Sequence, residues 1–272
     1  MWSPDAYEGA PLPITAFLST ISKAAGFALF LRLFTTAIIV DAVEWRWAIA
    51  LLAAITMILG NVMAIQQKNL KRLVAYSSIG QVGYMLVVIA AIGYGDKEIG
   101  ANASSALLLH VLGYVVSTFL LFTALTAYHN KTGKDTIEGL RGLAETQPFL
   151  ALIVTVALFS FAGLPFFAGF TTKLFLFQSS ATDELMWLVG LAVANSFVSL
   201  YYYLMVLRQM YLFDPPADLV RFKISPVLMG LGGALLIGVV AIGVYPGPFF
   251  EAVEHATQPL YQQGADLLVK AR

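Results

Sequence analysis

Two amines stand where an apolar chain has little use for them. Lys23 lies in ITAFLSTISKAAGFALFLRLF, and Lys173 in FSFAGLPFFAGFTTKLFLF. The other fourteen of the sixteen Lys and Arg fall in connecting segments, near the ends of apolar stretches or in the C-terminal tail. All sixteen Asp and Glu read as loop, terminus or tail, so neither amine has an acidic partner within its own stretch. Ionisable groups at membrane depth are rare and usually mark an ion or proton path. Burial disfavours the charged form of an amine, and a neighbouring carboxylate restores it. An amine held between those influences takes up and releases protons near neutral pH, as a relay requires. The missing carboxylate would come from another chain or from sequence outside these 272 residues. The plainer alternative is that each lysine caps loose carbonyls or reaches the interface. For Lys23 a depth of about 13 Å along a helix makes snorkelling difficult.

Other residues cluster with them. Gly163, Pro165 and Gly169 interrupt the stretch that carries Lys173. Irregular backbone at membrane depth is tolerated only beside protein or water. A broken helix around a midplane charge is a recurrent transporter device, although a plain proline kink has the same pattern. His110 and Tyr114, one helical turn apart, with Ser117 and Thr118 beyond, are candidates for a water wire between the lysines; a lone histidine also commonly bonds a neighbouring helix. Tyr201, Tyr202 and Tyr203 read as an interfacial or packing feature, and Ser77 and Ser78 as interhelical hydrogen-bonding groups. The sequence holds no cysteine, and no nucleophile–base pair, phosphate loop or metal cluster is recognisable. No cofactor is expected in this chain.

The elements that position these groups follow from composition. With 59% hydrophobic and 12% charged residues and a mean hydropathy of +0.78, the chain cannot cover itself with polar surface, so its solvent is lipid. Zero net charge argues against nucleic acid as a partner. Seven stretches suit the roughly 20 residues that cross a bilayer: 14–38, 45–66, 72–94, 103–127, 148–178, 185–213 and 226–245. The expectation is an all-α polytopic membrane bundle of about seven helices, one of them broken. It occupies residues 1–245, with an interfacial tail over 246–272. The opening MWSPDAYEGAPLPI lacks a signal-peptide pattern and reads as an internal loop. Nine Lys and Arg, from Lys68 to Lys223, lie on one side of the bundle against Arg32, Arg46 and Lys97 on the other before the tail is counted. The richer side is expected to be cytoplasmic.

Three segments, MWSPDAYEGAPLPITAFLSTISKAAG, GNVMAIQQKNLKRLVAYSSIGQVGYMLV and SFAGLPFFAGFTTKLFLF, resemble the antiporter-like membrane subunits of complex I, NADH–quinone oxidoreductase. The Tyr7 and Gly9 motif and LYYYL from Leu200 favour the subunit N family (subunit 2 in mitochondria, with a chloroplast-type counterpart) over the sister subunits L and M. The resemblance covers essentially the whole chain. It implies helices 8–14 of a fourteen-helix fold built from two inverted repeats. Lys23 then matches the lysine of the eighth helix and Lys173 that of the broken twelfth. The family's glutamate of the fifth helix and lysine of the seventh have no counterpart in these residues. Where subunit L carries a further lysine in its eleventh helix, this chain has Ser117-Thr118. The implied function is a membrane subunit of a redox-driven proton pump that moves protons but binds no redox cofactor. The implied partners are the antiporter-like subunit M, the small subunit K, lipid and protons, with quinone coupled indirectly, in the cell inner membrane. A stand-alone cation/proton antiporter or membrane-hydrogenase subunit is the alternative within the superfamily, and an inert structural fragment the alternative outside it.

Overall fold

The computed structural model describes residues 2–39, 42–93, 97–216 and 221–270. Asp41, Asp96, Asp218 and Arg272, assigned to loops and tail from the sequence, lie outside the described residues. Regular structure among the described residues is helical, apart from one isolated antiparallel bridge between Asn69 and Thr136. The elements are α1 (Ser3–Gly9), α2 (Leu12–Arg32, continued by a π turn over Leu33–Ala37), α3 (Ala42–Ile65), α4 (Leu70–Ile92), α5 (Lys97–Thr132), α6 (Leu143–Thr146), α7 (Pro148–Ala162), α8 (Ala168–Ser179), α9 (Met186–Leu212), α10 (Pro226–Val244) and α11 (Gly247–Lys270).

Six of these are long and apolar enough to cross a membrane: α2 with its π turn, α3, α4, α5, α9 and α10. The seventh expected span is the broken pair α7 and α8. The chain is a multi-pass membrane protein. Several starts are set by local chemistry. Asn69 caps α4 by accepting from the amides of Lys71 at 2.9 Å and Arg72 at 3.2 Å. Proline stands in the first turn of α2, α7 and α10, where its missing N–H is not required. Glu44 and Glu98, read as loop residues from the sequence, fall instead in the first turns of α3 and α5, where the helix dipole favours a carboxylate. The opening segment is likewise a short helix, α1, begun by Pro4, and not a loop.

Burial sorts the helices. α5 packs against α2, α4, α7, α8, α10 and α11, and so forms the axis of the bundle. α4 is buried almost end to end, its polar residues Lys71, Ser77, Ser78 and Gln81 included. It crosses α3 closely: a Cβ on Gly60 would stand 2.5 Å from the Gly80 amide nitrogen. By contrast α2 exposes Ile14, Phe17 and Leu29, and α3 exposes Leu51, Ile55 and Leu59.

The connections on each face are tied together. On the lysine- and arginine-rich face, the Leu70 amide donates to Asp135 O at 2.9 Å, and the Ile137 amide to Lys68 O at 2.9 Å. Arg141 Nε donates to Asp214 O at 2.9 Å. Arg72 pairs with Asp5 at 2.6 Å and Glu8 at 2.7 Å, fastening α1 beneath α4. On the opposite face Arg46 pairs with Glu184 at 2.8 Å. Cysteines introduced singly at Lys134 and Glu184 should therefore react with an impermeant thiol reagent from opposite sides of the membrane. Labelling of both from one side would overturn this topology.

Candidate functional site

The helix break is built from its sequence. Gly163 takes a left-handed φ of 85°, a conformation glycine adopts at no steric cost. The amide of Leu164 then bonds Phe159 O at 3.0 Å and that of Gly163 bonds Ser160 O at 3.1 Å, closing α7 with a Schellman motif. That closure leaves the next two carbonyls, of Phe161 and Ala162, without amide partners in the helix. Lys173 supplies them: its Nζ donates to Phe161 O at 2.8 Å and Ala162 O at 3.5 Å. An ammonium at a helix C-terminus is also favoured by the helix dipole. The Nζ lies 3.4 Å from Ser196 Oγ and 4.9 Å from the centre of the Tyr84 ring, a cation–π arrangement. The side chain is buried, at 4% exposure.

The far side of the break is held by close contact. A Cβ on Gly169 would fall 1.6 Å from Ser160 O. Ser160 Oγ accepts from the Gly169 amide at 3.0 Å and bonds Ser117 Oγ at 2.7 Å. Ser117 therefore locks the break onto α5. Pro165 occupies the exposed turn between α7 and α8.

Lys23 is half-buried and sits in a cage of hydroxyls. Four oxygens surround its three N–H donors: Ser78 Oγ, Tyr114 OH at 3.1 Å, Tyr7 OH at 3.4 Å and Ser19 O at 3.3 Å. Burial raises the pKa of the Tyr7 hydroxyl, while the Lys23 charge opposes the rise. Tyr7 therefore stays a neutral phenol at physiological pH, able to donate or accept. Among the described residues neither Lys23 nor Lys173 has a carboxylate within ion-pair distance, whereas Arg46, Lys71 and Arg72 each have one.

A residue not singled out from the sequence lies between the two lysine sites. Gln81 lies one turn beyond Ser78 on the same face of α4. Its Nε2 donates to Phe161 O at 3.2 Å, the carbonyl that also accepts from Lys173. Polar groups thus follow one another from Tyr7, Lys23 and Ser78 at one end to Gln81, Phe161 O, Lys173 and Ser196 at the other, although among the described residues no hydrogen bond joins Ser78 to Gln81. The expected wire along α5 is divided between the two ends: Tyr114 touches Lys23, whereas His110 Nδ1 bonds Thr172 Oγ1 at 2.9 Å, beside Lys173. Gln81 Oε1, Thr118 Oγ1 and His110 Nε2 are buried without a protein partner. Buried polar atoms of this kind are ordinarily satisfied by water.

Ser77 and Ser78 both bond between helices, Ser77 to Tyr203 and Ser78 to Lys23. Of the tyrosine run, Tyr201 is exposed, whereas Tyr202 and Tyr203 are buried; Tyr202 OH donates to Asn61 Oδ1 at 2.9 Å.

Residues 1–199 match a family model described as NADH:quinone oxidoreductase/Mrp antiporter, TM. The chain is 40% identical over 94% of its length to NADH-quinone oxidoreductase subunit N of Dehalococcoides mccartyi, covering 53% of that protein. It spans about half the length of the curated relatives it matches. Among solved structures it resembles a chain of respiratory complex I from Thermus thermophilus, with TM-score 0.76, 33% identity, and 93% of this chain and 54% of that one covered. A chain of the Mrp complex from Dietzia shares the fold, with TM-score 0.83, 21% identity, and 97% and 57% covered.

Proposed function

The chain belongs to the NADH:quinone oxidoreductase/Mrp antiporter transmembrane family, and from that premise we propose that it is a proton-conducting membrane subunit of a redox-driven quinone oxidoreductase of the complex I type. Lys23 and Lys173 are its titrating groups, and Tyr114 and His110 assist at either end. The broken helix made by Gly163, Pro165 and Gly169 supplies the carbonyls that hold Lys173. The chain moves protons and binds no redox cofactor. Quinone chemistry elsewhere in the assembly drives it through charge. It works beside a sister antiporter-like subunit M and a small subunit K, in a cell inner membrane with the lysine-rich face towards the cytoplasm.

One observation carries this reading: two amines without carboxylates lie at the ends of a row of polar groups, Ser78 beside Lys23 and Gln81 with Phe161 O beside Lys173, that includes orphaned polar atoms. Apolar packing alone has no use for such a path, since each unpaired buried polar group costs about 1–3 kcal/mol. A proton moves along it by exchange: an ammonium passes its proton to water or a hydroxyl, and becomes a neutral amine able to accept the next.

Gln81→Leu tests the link. Leucine matches the glutamine in bulk, so the chain should assemble in native membranes at its usual level. Proton uptake coupled to quinone reduction should fall several-fold, because the amide that orders the middle of the path is gone. Unchanged pumping with normal assembly would remove Gln81 from the path and break the connection between the lysines.

A further inference from the structure

We propose that the groove formed by the helix break, α8 and α9 is a binding site for an amphipathic monocarboxylic acid of the long-chain fatty-acid class, its carboxyl group on Lys173 and its chain along the two helices. The inference goes beyond the relay reading and needs only the amine and the groove around it.

Sequence spacing builds the groove. On α8, Phe170, Lys173, Leu174 and Phe177 stand at i, i+3, i+4 and i+7, so they share one face of the helix. On α9, Val193, Ser196, Phe197 and Leu200 repeat that spacing. The two faces, together with Gly163 and Leu164 of the break, line a cavity of about 240 Å³. Each face contributes one polar group to an otherwise apolar wall. A mostly apolar pocket with a few convergent polar groups is the usual form of a small-molecule site. Phe170, Leu174, Val193 and Phe197 are exposed, so the groove opens on the flank of the bundle.

Lys173 and a glycine set the head-group end. A Cβ on Gly163 would lie 3.3 Å from Lys173 Cδ and 3.7 Å from Nζ, so no side chain stands there between the groove and the amine. The Nζ makes one short bond, to Phe161 O at 2.8 Å. Its other two acceptors, Ala162 O at 3.5 Å and Ser196 Oγ at 3.4 Å, are long against the usual range of about 2.7–3.2 Å. Three N–H donors thus have one good acceptor. None of the residues lining the groove, among those described, is acidic. A carboxylate supplies both what the donors lack and the missing counter-charge, in charge-assisted bonds.

Depth selects the ligand class. Lys173 precedes the end of α8 at Ser179 by about 9 Å along the helix. A phosphodiester head group keeps its charge and does not descend so far into apolar surroundings, whereas a carboxylic acid travels there in neutral form. The binding step balances. The acid passes its proton to the Lys173 amine, giving ammonium and carboxylate, so no net charge enters the membrane. Its chain then lies against Leu174, Phe177 and Phe197, where burial of the methylenes adds affinity.

Photolabelling of the assembled complex in its native membrane tests the site. The probe is a saturated long-chain fatty acid with a diazirine near the chain end, and the labelled peptides are read by mass spectrometry. Labelling of α8 and α9 is expected to saturate, and to be displaced by the unlabelled acid but not by the alcohol of the same chain length. Val193→Trp, which fills the groove from its exposed wall, should abolish that labelling while pumping without added acid stays at the unaltered level. Lys173→Met should cut the labelling by about tenfold, the worth of one charge-assisted bond. Three outcomes overturn the site: no labelling of α8 or α9, as when another chain covers the groove; equal displacement by acid and alcohol, the mark of an apolar lipid contact only; or labelling unchanged in Val193→Trp. Where Lys173→Met does not assemble, the comparison of acid with alcohol in the unaltered complex decides. Pumping by Lys173→Met is measured in parallel. Full pumping there refutes the relay, whereas the displacement pattern reports on the site irrespective of that result.

Discussion

Lys173→Ala is expected to remove most proton pumping while leaving the chain in its complex. The energetics divide cleanly. Deleting a buried ammonium relieves a desolvation penalty of several kcal/mol. Against that, Phe161 O and Ala162 O lose their donor, at about 1–3 kcal/mol for each group left unsatisfied. Phe161 O keeps the Gln81 amide as a partner, which limits the loss. The fold therefore survives, whereas the path loses a titrating group whose removal ordinarily slows proton transfer by about 10²–10⁴-fold. Lys173→Arg should pump almost as poorly. A guanidinium still caps the carbonyls but does not release its proton at any usable pH. Quinone reductase turnover, proton uptake and blotted subunit levels separate these effects. Normal pumping in both variants would make Lys173 a helix cap and nothing more.

Gly169→Ala should act in the opposite way, on assembly first. Its Cβ would lie 1.6 Å from Ser160 O and 2.6 Å from Ser160 C, and neither is a flexible side-chain tip that can rotate away. The start of α8 must then move off the end of α7. Overpacking of this kind costs typically about 1–3 kcal/mol, and more against backbone. The shift also breaks the Gly169 amide bond to Ser160 Oγ and disturbs the Ser160–Ser117 link. The level of this chain in membranes should drop sharply. Gly190→Ala is the control, because a Cβ there meets nothing within 4 Å. Equal levels of the two variants would contradict the close contact at the break.

Much of this architecture is legible in the sequence because lipid imposes simple demands. Apolar stretches of helix length must be helices, while the polar connections between them include short helical turns of their own, such as α6. What composition could not deliver was partnership across long separations. Gln81 sits in an apolar helix as a single amide, visible in SSIGQVGYM, but its bond is to a carbonyl 80 residues away that exists only because α7 ends at Gly163. Tyr7 was legible as part of a motif, but not as a neighbour of Lys23. The Arg72 pairs with Asp5 and Glu8 fold α1 under α4 and bring it there. Capping and relaying were alternatives for Lys173 when read from residue types. Geometry makes them compatible, since the Schellman closure frees the two carbonyls that the ammonium holds. The helix ends differ as well: the fourth stretch, expected over 103–127, extends to Lys97–Thr132.

The most direct test of a single path is a double-substitution cycle on Lys23 and Lys173, with proton pumping as the readout. Lys23→Met, Lys173→Met and the double variant are compared in assembled complexes, with subunit levels equalised. Groups that act as one unit lose their function once and not twice. The double variant should therefore pump no worse than the weaker single variant. Multiplied losses would mean that the lysines serve separate paths, and full pumping in any of the three would mean that protons do not travel through them.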